Sequence, residues 1–159
     1  MWNPGFYFLE QEPAELKGYH RKLCMYSHYH RGTRGSPGLV LGLDKGGTCS
    51  GIAFRIPREN WPSIIKYLNE RELVDNYAYV PASLKVNLAS GPISAYTFIA
   101  DTRHPNYARK LSIDEIVKII GNAKGAGGDN LDYLREVVNK LKALGKPDPE
   151  LNLILQHLQ

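Results

Sequence analysis

Two stretches in which apolar residues fall at every second position, each interrupted by a run of turn formers, constrain this chain more than anything else in it. In "PGLVLGLDKGGTCSGIAFRIP", Leu39, Leu41 and Leu43 share one side, Asp44-Lys45-Gly46-Gly47 supplies turn chemistry, and Ile52, Phe54 and Ile56 share one side of a returning strand. Further on, "SLKVNL", the turn "ASGP" and "ISAYTFIA" repeat the pattern. Both read as antiparallel hairpins. "LCMYSHYHR" (23–31) alternates in two registers and reads as another strand, with neither face purely apolar.

Helical signals are interleaved with these strands and then take over. "NWPSIIKYLNEREL" offers Asn60 as a cap and Pro62 in the first turn, where a missing N–H costs nothing. "SIDEIVKII" opens with a capping box, Ser112 and Glu115. "LDYLREVVNKLKAL" follows Asp129-Asn130 and stops at Gly145, and "DPELNLILQHL" has Asp148 as cap and Pro149 at the first helical position. "GNAKGAGG" (121–128) reads as a short loop leading to a helix N-terminus, where backbone N–H groups favour an anion, or as a plain connection. The sum predicts an α+β fold: a strongly curved sheet or small barrel with helices on its outside. At 159 residues, one domain is expected.

The charge balance is mildly basic, +4, but unevenly spread. No acidic residue lies between Glu15 and Asp44, whereas Lys17, Arg21, Lys22, Arg31 and Arg34 do. A basic, tyrosine-rich segment over 17–34 suits either a nucleic-acid face or a strand lining a pocket for a small anionic ligand. No named nucleic-acid motif accompanies it, so the pocket is the simpler reading. No apolar run approaches the roughly 18 residues that span a bilayer, and no leader pattern opens the chain. A cytosolic protein with no membrane partner is expected, with Cys24 and Cys49 as reduced thiols.

Among candidate chemical groups, Glu72 stands out. On a helix advancing about 100° per residue, Trp61, Ile64, Ile65 and Leu68 form one stripe, and Glu72, four residues beyond Leu68, falls near its middle. A carboxylate directed at a core is desolvated, as a general base working near neutral pH requires. The alternative is a helix that ends earlier and leaves Glu72 solvated. Glu70 and Arg71 fall off the stripe or at its edge, so they can remain solvated. His28 and His30, as H-x-H on a strand, would share a face, but no third ligand sits at a convincing spacing, and no metal is expected. "GLDKGGT" lacks the Lys-Ser/Thr of a phosphate loop and reads as a turn.

Taken in order, "MWNPGF", "KGYHRKLC", "HRGTRGSPGLVLGLDKGGTCSGIAFRIP", "YLNERELV", "FIADTRHPNYA" and "GGDNLDYL" resemble the ChaC family of γ-glutamylcyclotransferases over nearly the whole chain. The resemblance implies a γ-glutamylcyclotransferase-like small mixed β-barrel with flanking helices, and an enzyme that needs no metal or organic cofactor. It implies that the α-amine of a γ-glutamyl group attacks its own γ-carbonyl, closing 5-oxoproline and, from glutathione, expelling Cys-Gly. Proximity supplies much of such a rate, and a carboxylate handles the protons. The family's catalytic glutamate aligns with Glu72, and "GGDNLDYL" matches the motif that brings Asn130 and Tyr133 beside the substrate. Arg31 in "HRGT" would orient an acidic substrate group or serve structure.

Family members carry a Gly-Tyr-Gly-Ser-Leu loop, after a first strand, immediately before the Met-Trp-Asn-Pro-Gly turn at which this sequence opens. The expectation is a chain without that strand and loop, through a start assigned at an internal methionine or a true truncation. A missing strand would expose a sheet edge prone to dimerise or aggregate. The rival readings are the same chemistry on other γ-glutamyl peptides or amines, a noncatalytic regulatory homologue, and a nucleic-acid binder resting on residues 17–34.

Overall fold

The computed structural model describes residues 4–73 and 78–159. The opening Met-Trp-Asn and residues 74–77 lie outside the described residues, so the expected turn at Asn3-Pro4-Gly5 is described only from Pro4 onward. Two long strands come first, β1 (Glu10–Ser27) and β2 (Gly38–Arg55). A 3₁₀ turn at Arg58–Asn60 leads into α1 (Trp61–Glu72), followed by β3 (Tyr79–Leu88), β4 (Gly91–Ala100) and α2 (Ile113–Asn122). A small ribbon of β5 (Lys124–Gly125) and β6 (Gly128–Asp129) precedes α3 (Asn130–Ala143) and α4 (Pro149–Gln156).

The four long strands form one sheet in the order β2-β1-β3-β4, with β1–β3 and β3–β4 antiparallel. The α+β class is as expected, but the sheet is not closed into a barrel. Closure needs the two end strands to pair, and among the described residues β2 and β4 do not.

The chain divides into two compact units, and β1 and β2 each contribute to both. One comprises the residues up to Lys22 together with Gly42–Asp101. Here the β3–β4 hairpin forms as its sequence predicts, with Leu88 opposite Gly91 across the two-residue turn. Leu16, Cys49 and Val86 make a small buried cluster. Helix α1 buries Ile64 and Leu68, while Trp61 is half-exposed and meets the ring of Tyr96 edge-on.

The predicted turn at Asp44-Lys45-Gly46-Gly47 does not form. β2 runs straight through it, and Gly46 (φ 96°) and Gly47 (φ 66°) bend the strand instead of reversing it. Turn residues and strand-bending residues are the same residues, because both jobs call for a positive φ. The bend is pinned from β1: His20 Nδ1 donates to Gly46 O (3.0 Å), and Lys22 Nζ pairs with the buried Asp44 Oδ2 (3.0 Å). β1 is also longer than its alternation suggested, starting at Glu10. Its polar first half is held by pairing with β3, Glu15 opposite Asn87 and Leu16 opposite Val86.

The second unit holds Leu23–Leu41 and Thr102–Gln159. Its core is helical: Ile116 and Ile120 of α2, Leu134, Val137, Val138 and Leu141 of α3, and Leu151, Ile154 and Leu155 of α4 pack with Leu23 and Leu39. The spacings are those of an apolar helix face. Ser112 and Glu115 form the expected capping box, and the two hydrogen bonds from Ser112 hold the Glu115 carboxyl below its usual range. Asp148 caps α4 by accepting from Leu151 N.

Helix α3 ends in a Schellman motif: Lys146 N donates to Leu141 O (2.9 Å) and Gly145 N to Lys142 O (3.0 Å), with Gly145 at φ 66°. A Cβ at Gly145 would meet nothing, so Gly145→Ala isolates the backbone term. The expected cost is about 1–2 kcal/mol, read as a lower midpoint in urea unfolding with an unchanged slope.

Candidate active site

Glu72 is the last residue of α1. It continues the Ile64–Leu68 face as the wheel predicts, but its side chain keeps 27% of its exposure and is not sealed in a core. Its Oε1 accepts from Nε of Arg71 (2.8 Å) and forms an ion pair with Nη2 (2.8 Å). Arg71, which the wheel left free to stay solvated, is held by its neighbours and keeps 29% of its side-chain exposure. Its Nη1 donates to Pro4 O (2.8 Å) and to the Tyr67 hydroxyl (3.2 Å), and the guanidinium lies 5.3 Å from the Tyr67 ring centroid. Burial pulls the proton affinity of Arg71 down, yet the bonds to Tyr67 and Glu72 outweigh it and hold Arg71 above its ordinary value. Glu70 does stay in solvent, loosely paired with Lys66. Sequence reasoning missed Tyr67 and Arg71. The available signal was their i, i+4 spacing on α1.

In the other unit, Arg31, Asn130 and Tyr133 lie together. The hydrogen-bond requirements of β2, an end strand of the sheet, explain how. Asn130 Oδ1 accepts from Leu39 N (2.6 Å) and its Nδ2 donates to Leu39 O (2.8 Å), so one side-chain amide completes the pairing of one strand residue. Two residues along, Leu41 N donates to the Tyr133 hydroxyl (3.1 Å). Asn130 and Tyr133, three apart on α3, thus match alternate residues of the strand. The Arg31 guanidinium sits 5.3 Å from the Tyr133 ring centroid and donates through Nη1 to Gly127 O (2.6 Å) and, at 3.4 Å, to Asp129 O.

Asn130, expected beside the substrate, is 0% exposed, with both ends of its amide engaged by Leu39. Tyr133 and Arg31 remain half-buried.

Two further expectations change. β1 ends at Ser27, whose hydroxyl accepts from Arg31 N (3.0 Å), so His28 and His30 lie past the strand and do not share a strand face. His28 Nε2 and Asn106 Oδ1 are hydrogen-bonded at 3.1 Å. Residues 124–129 are a miniature hairpin instead of a loop, and the N–H groups of Ala126 and Gly127 bond Tyr29 O and His30 O. Asn130 N, at the start of α3, donates to Ala123 O. These donors serve the chain and not an anion. Among the described residues, no three potential ligands gather as a metal site would require, and no helix is long and apolar enough to cross a membrane.

The fold class is that of the crystal structure of a γ-glutamyl cyclotransferase specific to glutathione from yeast (TM-score 0.81, 21% identity, 95% of this chain and 88% of that one). The family model for ChaC-like protein matches residues 1–159, and the chain belongs to that family. Among curated relatives, a glutathione-specific gamma-glutamylcyclotransferase of Escherichia coli (strain K12) is 35% identical over 98% of this chain and 67% of its own length. One of the same name from Schizosaccharomyces pombe is 29% identical over 96% of this chain and 84% of its own. Gamma-glutamylcyclotransferase 2-3 of Arabidopsis thaliana is 32% identical over 93% and 78%.

The role now given to Asn130 has a measurable consequence. Asn130→Leu leaves a buried N–H and C=O of Leu39 without partners, at roughly 1–3 kcal/mol each. A loss of that order in chemical unfolding, far beyond the effect of Tyr133→Phe, is the expected result.

Proposed function

We propose that this chain is a glutathione-specific γ-glutamylcyclotransferase, a lyase-type enzyme that converts glutathione to 5-oxoproline and Cys-Gly with Glu72 as acid and base. The observation that carries the reading is likeness to an enzyme of that name over 98% of the chain. The carboxylate at the end of α1 supplies chemistry that suits it.

In this reading the γ-glutamyl ammonium gives a proton to Glu72, and the freed amine attacks the γ-carbonyl carbon of the same residue. The N–C bond closes the five-membered ring, the amide bond to cysteine breaks, Glu72 returns its proton to the departing nitrogen, and the second proton of the ring nitrogen passes to the same amine, so that Cys-Gly leaves as an ammonium. Water is not consumed. Because nucleophile and electrophile belong to one group, the protein's task is to hold the folded conformer and move protons at the right atoms. For Arg31 and Tyr133 the proposed part is substrate binding, Arg31 through an acidic group and Tyr133 through its hydroxyl. Asn130 supports them by fixing the start of α3 against Leu39. A cytosolic setting agrees with two buried thiols outside any disulfide, Cys24 and Cys49.

Release of 5-oxoproline from glutathione by residues 1–159 tests the proposal. Glu72→Gln keeps the shape and removes the proton carrier, so kcat is expected to fall by about 10²–10⁴ with an unchanged melting transition. A Glu72→Gln protein as fast as its parent would end the assignment of the base. Glutathione is expected to outpace γ-glutamyl-alanine, and equal rates would widen the substrate class to γ-glutamyl peptides in general.

A further inference from the structure

Resting on the reading of Glu72 as acid and base, we propose that Arg71 is its positioning residue. Its guanidinium, itself anchored at Tyr67 and Pro4, clamps one carboxylate oxygen of Glu72 and leaves the other to carry the proton.

Helix geometry does not make this pair by default. Adjacent residues on a helix do not face one another, whereas residues four apart do. Arg71 reaches Glu72 because other groups place its side chain. Tyr67, one turn earlier on α1, lies beneath the guanidinium and takes a hydrogen bond on its hydroxyl. Pro4 O, from a distant part of the sequence, takes another. All three guanidinium nitrogens are therefore engaged: Nη1 on Pro4 and Tyr67, Nε and Nη2 on Glu72. The planar fork meets a carbonyl, a phenol and a carboxylate in fixed directions, a geometry that the compact point charge of a lysine ammonium does not reproduce.

The bonding to Glu72 is lopsided in a useful way. Nε and Nη2 of Arg71 converge on Oε1, and among the described residues Oε2 receives no hydrogen bond. A carboxylate that must take a proton from one nitrogen and return it to another needs a fixed rotamer and an uncommitted oxygen, and this arrangement supplies both. Arg71 touches neither reacting atom in this scheme. It acts through Glu72.

The test is kcat and KM for glutathione in the full chain carrying Arg71→Met, Arg71→Lys, Glu72→Gln, and Arg71→Met with Glu72→Gln. Loosening a catalytic group by an ångström costs about 10²-fold, so Arg71→Met is expected to lose about that in kcat with KM little changed, and Arg71→Lys to fall between. Since Arg71 works only through Glu72, the double variant is expected to be no slower than Glu72→Gln alone. If Arg71→Met keeps the parent's kcat while Glu72→Gln is inactive, the positioning role is overturned and the catalytic reading of Glu72 stands. Losses that multiply in the double variant would also overturn it, by giving Arg71 an effect of its own. A Glu72→Gln protein that turns over at the parent's rate, or a parent chain without turnover, removes both. Should Arg71→Met lose its cooperative melt, Tyr67→Phe replaces it, keeping the ring and the charge and removing one bond. A several-fold fall in kcat at constant KM supports the proposal, and an unchanged kcat overturns it.

Discussion

A strand at the end of a sheet carries backbone groups that must find partners, and the helical unit is organised around that requirement. β2 meets it at Leu39 with a side-chain amide in place of another strand, and at Leu41 with a phenol. Because both partners come from the first turn of α3, satisfying the strand also fixes where that helix begins. The rest of the unit follows from it: Leu134, Val137, Val138 and Leu141 are carried inward, and α2 and α4 have a surface to pack on. A buried amide is costly to leave unpaired and modest in return when paired, so it specifies an arrangement more than it stabilises one.

The other unit concentrates its polar specificity at the end of α1. Pro4, Tyr67, Arg71 and Glu72 form a chain of contacts in which every link involves the guanidinium. The exposure of Glu72 changes the chemical picture drawn from the wheel. Its nearest charged neighbour is the Arg71 guanidinium, and its side chain keeps 27% of its exposure.

Much of this was legible. The β3–β4 hairpin, the four main helices, the capping box at Ser112 and the stop at Gly145 follow from periodicity and local hydrogen-bond chemistry, which depend on residues close in sequence. What failed depended on distant partners. Asp44-Lys45-Gly46-Gly47 has turn composition, but β1 alongside it, through His20 and Lys22, keeps the strand going. The polar stretch from Glu10 becomes a strand only because β3 pairs with it. Glu72 was placed correctly on the helix, yet Arg71, off the stripe or at its edge, gave no sign of being its partner. Asn130 was singled out through the resemblance, and only its burial against Leu39 reveals that the amide faces a strand.

The division of β1 and β2 between the two units bears on how the chain is made. Leu23 and Leu39 belong to a core completed by Leu151, Ile154 and Leu155 of the last helix. During synthesis, therefore, the distal part of β1 and the start of β2 wait through more than a hundred further residues before their apolar side chains are covered. Contacts so remote in sequence close slowly, and the waiting strand segments expose both apolar surface and unpaired backbone. Neither unit is a contiguous piece of chain that could finish first and template the other. Until α4 is made, the apolar side chains of the distal part of β1 and the start of β2 lack part of their cover.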